Sequence, residues 1–201
     1  MFFLDLDKFI QVVRNKEEVI LSKEAETRIK ESCLKLSKIL DSDQKLYGIN
    51  TGFGKMIKVI ISKSDQNKLQ HNLLKSHACG VGKDLDQEAV RGIILLRINT
   101  LAKGFSGTRL ETIQQLLKYL NNNIIPAIPE QGSLGASGDL APLAHMGLTL
   151  LGEGEVYYQN EKQSTTLALK KAGIEKLSHL EAKEGLSLIN GTQVMTAIGA
   201  L

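Results

Sequence analysis

Pro126, Pro129 and Pro142 are the chain's only prolines, and the short stretch they bracket also holds Gly132, Gly135 and Gly138. Proline fixes φ and removes a backbone donor, whereas glycine opens conformations closed to other residues, so no long regular element crosses this window. Its backbone is the most constrained in the sequence. All 18 glycines lie from Gly48 onward. The chain therefore divides into a glycine-free beginning and a longer part interrupted by glycine-rich turns, which points to loops with a task.

Between those turns the apolar residues follow helical spacing. Ala25, Ile29, Cys33, Leu34, Leu36 and Leu40 recur at three- and four-residue steps and predict an amphipathic helix over 24–40. Leu4 to Val13 reads as a shorter one. Ser64 to Cys79, Asp86 to Ala102 and Arg109 to Leu120 each open on a polar or acidic residue and continue as helix, as do 140–151 and 184–201. Strand signals are scarce. The exception is 154–165, where EVYY and KQSTT flank Asn160-Glu161 as a small hairpin. The class is mainly α with a small β-hairpin. The closing MTAIGAL breaks off inside an apolar helical pattern without a capping residue, as expected of a chain cut short.

Composition excludes several functions. A formal charge of +3, dispersed along the chain, leaves no nucleic-acid footprint, and no apolar run reaches the roughly 18 residues of a membrane span. The first ten residues carry Asp5 and Asp7 and no basic lead, unlike a secretory signal. With only Cys33 and Cys79, the chain reads as a reduced, cytoplasmic protein.

Common site motifs also fail. A phosphate loop ending at Gly82-Lys83 needs Gly at His77 and Ser or Thr at Asp84. A dinucleotide fingerprint from Gly152 needs its third Gly at Tyr157. Gly135-Ala136-Ser137-Gly138 misses the nucleophile elbow by one residue. His71, His77, His145 and His179 have neither a second His nor a Cys at metal-ligand spacing, so no metal is expected.

QGSLGASGDLAPLAH, from Gln131 to His145, survives these tests. Its plain reading is a helix start with Pro142 in the first turn, and an anion cradle is a weaker one. Ala136-Ser137-Gly138 also permits cyclisation. Gly138 has no Cβ to keep its amide nitrogen from the Ala136 carbonyl carbon. The attack closes a five-membered ring, and loss of two waters, one taking the Ser137 hydroxyl, leaves an electrophilic exocyclic methylene.

The same stretch resembles the signature of the aromatic amino acid lyase family, which comprises histidine, phenylalanine and tyrosine ammonia-lyases and related aminomutases. YGINTGFG (47–54), NLLKSHACGVG (72–82), RINTLAKGFSGTR (97–109) and EGLSLINGTQ (184–193) are similar to further family motifs in the same order. The resemblance implies the N-terminal helical domain of the fumarase-aspartase-like fold over 1–190, with 191–201 beginning a central helical domain. It also implies a 4-methylidene-imidazol-5-one formed from Ala136, Ser137 and Gly138 as the only cofactor, and a cytoplasmic homotetramer.

By resemblance, Tyr47 is the base that removes the substrate's β-proton, and Asn190 bonds the ring or the substrate amine. A phenol titrates near 10, so Tyr47 needs nearby donors or positive charge to act at neutral pH. On its residues alone Tyr47 reads equally as a turn aromatic, Asn190 as a helix-interrupting turn residue and His77 as a helix-end histidine. Ser76-His77 resembles the selectivity pair of the histidine branch, where an imidazole reads a polar ring. The implied reaction is deamination of L-histidine to trans-urocanate and ammonia. Tyrosine or phenylalanine lyase, aminomutase, and a truncated domain without catalysis are the alternatives. Family enzymes are far longer, so this chain alone is expected to be inactive, with its ring unformed.

Overall fold

The computed structural model describes residues 4–42, 45–52, 58–59, 61–62 and 65–201. Among them the chain runs α1 (Leu6–Arg14), α2 (Lys23–Leu40), α3 (Gln66–His77), β1 (Val81–Asp84), α4 (Gln87–Leu101), α5 (Leu110–Asn121), β2 (Ile125–Pro126) and β3 (Pro129–Gln131). It continues as α6 (Leu140–Leu150), β4 (Glu155–Tyr158), β5 (Glu161–Ser164), α7 (Thr165–Ala172), α8 (Glu184–Ile189) and α9 (Gln193–Ala200). The protein is mainly helical, as its periodicity predicts.

Local chemistry starts the first two helices. The Asp5 carboxylate accepts from Lys8 N at 2.8 Å and the Ser22 hydroxyl from Ala25 N at 3.2 Å, each satisfying a free first-turn donor. Only Ala25 and Ile29 of the expected α2 stripe are fully buried, while Leu34 lies exposed. The core centres on α4, which is packed by α1, α5, α9 and β2. Val90, Ile93, Ile94 and Ile98 fill it, and so do two arginines. Arg91 donates to the carbonyls of Val12, Val13 and Leu120, using a buried cation to cap the C-terminal ends of α1 and α5.

Five local expectations are corrected. The hairpin forms, but its turn is Gln159-Asn160, both left-handed with φ of 53° and 64°, one residue before the expected pair. The Thr pair assigned to its second strand starts α7 instead, where Thr165 Oγ1 donates to the carbonyls of Glu153 and Gly154. The helix expected over 184–201 breaks into α8 and α9 at Asn190-Gly191. Three short strands, β1, β2 and β3, were not foreseen. β2 pairs antiparallel with β4, and β1 with β3 in the register Val81↔Gln131 and Asp84↔Pro129. Such short strands, containing or beginning with proline or glycine, carry no alternating pattern. The helix expected from Ser64 starts at Gln66; Ser64 lies outside the described residues.

Pairing of β1 with β3 sets the segment after His77 beside the segment before Gly132. Among the described residues no helix is long and apolar enough to cross a membrane.

Candidate active site

β3 and α6 hold the two ends of the glycine loop. Gly132 lies at φ 150°, where an added Cβ would come within 3.0 Å of Gly80 Cα. Ser133 Oγ donates to Asp139 Oδ1 at 2.8 Å, and Gly135 N donates back to Ser133 Oγ at 3.3 Å. Between these ties Ala136 and Ser137 are exposed beside Leu134, which is 94% exposed. Gly138 has φ 120°, and a Cβ there would stand 3.0 Å from both N and O of Gly191. Both conformation and contact therefore require glycine at the residue whose nitrogen would close the ring.

The loop thus meets the α8–α9 junction. Asp139 N donates to Gly191 O at 2.7 Å. The buried Asp139 carboxylate accepts from Val194 N and Met195 N, both at 3.0 Å, and caps α9 from another part of the chain. Asn190, the last residue before Gly191, is thereby brought to the loop through Gly191.

At the other end of α8, Glu184 is 1% exposed and accepts from five donors: Arg109 N, Nε and Nη2, Thr112 Oγ1 and Glu181 N. The motif that ends at Arg109 is therefore tied to the motif that begins at Glu184.

His77 closes α3. Its Nδ1 lies 2.8 Å from Leu73 O and 3.1 Å from Ser76 Oγ, and since a carbonyl only accepts, Nδ1 donates there; the tautomer with Nδ1–H has Nε2 as its acceptor. The following loop reaches α6, where Gly80 N donates to His145 Nε2 at 3.1 Å. Burial pushes the His145 pKa down, against an opposing pull from Asp84, and keeps its ring in the neutral form that accepts this bond. Burial would raise the Asp84 carboxyl, but hydrogen bonds from Lys162 and Tyr157 hold it below the usual carboxylate range and join the hairpin to β1.

Tyr47, 55% exposed, sits in a turn over 47–50 whose backbone bonds run within residues 46–61. Phe53 and Gly54 of the same motif lie outside the described residues. His71 and His179 pair with Glu153 and Glu181, at 2.5 and 2.7 Å. Among the described residues no three His, Cys, Asp or Glu gather as a metal site.

Sequence reasoning missed Asp139, Arg97, Arg109, Glu184 and His145 as parts of this arrangement. The available signal was a charge amid apolar neighbours, as at Arg97 within IILLRIN.

The loop that demands glycine at Gly138 is thus held against the Asn190-Gly191 junction. Residues 4–201 match the aromatic amino acid lyase family, and the chain belongs to it. It is 54% identical over 198 residues to the histidine ammonia-lyase of Alkaliphilus oremlandii, covering 98% of this chain and 39% of that protein. It is similar to the crystal structure of histidine ammonia-lyase from Trypanosoma cruzi, with a TM-score of 0.90 and 42% identity over 98% of this chain and 38% of that one. Pantoea agglomerans phenylalanine aminomutase gives a TM-score of 0.93 at 36% identity, with the same coverage. The chain spans about two fifths of the length of these relatives.

Proposed function

We propose that this chain is the N-terminal part of a histidine ammonia-lyase, which converts L-histidine to trans-urocanate and ammonia. The observation that carries the reading is the meeting of two motifs: Asp139 N bonds Gly191 O and Gly138 packs against Gly191, the residue after Asn190. Identity above one half to a histidine ammonia-lyase supports the substrate. The ring, a 4-methylidene-imidazol-5-one made from Ala136, Ser137 and Gly138, supplies an electrophilic carbon that turns the substrate amine into a leaving group. The three residues fit that product. Gly138 has no room for a Cβ, Ala136 and Ser137 are free of burial, and both ends of the loop are fixed.

The chain's own residues divide the remaining work. His77, with Nδ1 committed to Leu73 O, offers Nε2 to an N–H of the substrate imidazole. Asn190 holds the amine or the ring by hydrogen bonding. Tyr47 takes the β-proton.

The assembly is a cytoplasmic homotetramer. Residues 1–190 form the loop-bearing unit, and 191–201 start the next helical unit, a boundary at the break between α8 and α9. Phenylalanine and tyrosine lyases and aminomutases share this fold, and His77 is the residue that argues for histidine. The test is incubation of the full-length protein with L-histidine. Urocanate absorbance should appear, and the loop peptide should be lighter by two waters. Phenylalanine or tyrosine consumed in preference to histidine would overturn the substrate, and an unmodified loop in an active enzyme would overturn the ring. The 201-residue chain alone should produce no urocanate.

A further inference from the structure

Arg97 lies on α4, 2% exposed, with no carboxylate among its hydrogen-bond partners. Its Nη2 donates to Ser187 O at 2.7 Å, and its Nη1 donates to Asn190 O at 3.1 Å and Gln193 Oε1 at 2.6 Å. Its Nε has no partner among the described residues. Burial lowers its pKa to about 10, still far above neutrality, so the site keeps its charge. A buried cation without a counterion is costly where Leu or Met would fill the same space.

The partners explain what that cation does. In a helix running unbroken from Glu184 to Ala200, Ser187 O would accept from Gly191 N, and Asn190 O from Val194 N. Arg97 occupies both acceptors. Asp139 occupies the Val194 donor. Two buried charges of opposite sign, one from α4 and one from the ring loop, thus take the groups that would close the helix. Each also sits at the helix pole of opposite sign: the guanidinium at the C-terminal end of α8, the carboxylate at the N-terminal end of α9. Gly191 is confined on both faces. Its own added Cβ would come within 2.1 Å of Gln193 Oε1 and 2.3 Å of Arg97 Nη1, the two ends of one hydrogen bond, while a Cβ on Gly138 would meet its backbone.

We propose that Arg97 is a positioning residue that holds the Asn190–Gly191 break open, and so sets Asn190 against the ring-forming loop. The inference rests on the roles given above to Asn190 and to Ala136–Gly138.

The test is a double-mutant cycle in the full-length protein. Arg97→Lys keeps the charge but loses the fork that spans two carbonyls. It should lower kcat with histidine at least tenfold and change KM less than threefold. In an Asn190→Ala background the same substitution should change kcat less than twofold, because nothing remains to position. A second readout does not depend on turnover. The fraction of chains with a loop lighter by two waters should fall at least threefold in Arg97→Met, where Gly191 no longer walls Gly138.

Where Arg97→Met does not accumulate as folded protein, Gly191→Ala serves. Its φ is not left-handed, and its methyl would meet both Gln193 Oε1 and Arg97 Nη1 and push the Arg97–Gln193 pair off the break, so it carries the same ring expectation. Either an equal kcat loss in both backgrounds or a wild-type ring fraction overturns the proposal. A wild-type enzyme that leaves histidine untouched refutes the proposed function instead, so the two failures are told apart.

Discussion

Glu184→Gln should be among the most damaging conservative substitutions in this chain. Glutamine keeps the volume but replaces one carboxylate oxygen with an NH2 group. Oε1 of Glu184 accepts from Arg109 N and Thr112 Oγ1, and Oε2 from Arg109 Nε and Nη2 and Glu181 N. Whichever way the amide turns, its NH2 faces two or three donors. Hydrogen bonds to a charged group contribute about 1.5–3 kcal/mol each, and removing one partner of a buried ion pair costs about 3–5 kcal/mol. Arg109 keeps about a fifth of its side chain in water, which relieves part of its lost pairing and favours the lower end, about 3 kcal/mol.

Glu111→Gln is the control. Glu111 stands 3.3 Å from Arg109 Nη1 but is 61% exposed, so its loss should cost less than about 1 kcal/mol. Urea unfolding followed by far-UV circular dichroism measures both. For a protein of this size, 3 kcal/mol corresponds to a drop in Tm of roughly 6–12 °C. A Glu184→Gln variant within 1 kcal/mol of wild type at unchanged m-value would refute the buried-pair argument.

Other expectations follow from the site. Ser137→Ala in the full-length enzyme removes the leaving hydroxyl, so the loop peptide should show no two-water deficit and histidine turnover should collapse; near-normal turnover would count against the ring. His77→Leu removes the Nε2 acceptor and should shift the histidine-to-phenylalanine ratio of kcat/KM toward phenylalanine by about 1–3 kcal/mol, measured by parallel assays of the two substrates. Burial lowers the His145 pKa in the folded state below its ordinary 6.5, so the unfolded chain binds the proton more readily. Stability should be full above about pH 6.5 and decline as pH falls from there toward the lowered value. His145→Gln keeps an acceptor for Gly80 N but cannot titrate, so its urea midpoint should lose that acid limb, and a limb that persists would remove His145 as its source.

What the sequence alone determined was the local part of the molecule. The three- and four-residue spacing of Ile29 and its neighbours, the capping residues Asp5 and Ser22, and the paired residues of the hairpin depend on groups a few positions apart, which a linear string displays. The resemblance carried by QGSLGASGDLAPLAH likewise rests on consecutive residues. Even here the hairpin turn slipped by one, because left-handed φ at Gln159 and Asn160 was decided by strand twist and pairing.

The tertiary structure decided everything that depends on charge meeting charge or dipole across the chain. Periodicity over 184–201 argues for one helix, and Arg97 from α4 with Asp139 from the loop makes it two. Arg109 finds Glu184 across 75 positions, and β1 finds β3 although neither alternates. Burial makes these partners obligatory, since a charge or backbone group removed from water must be met by whatever the fold brings near. A sequence shows which residues need such a partner, but only the folded chain brings the two within hydrogen-bonding distance.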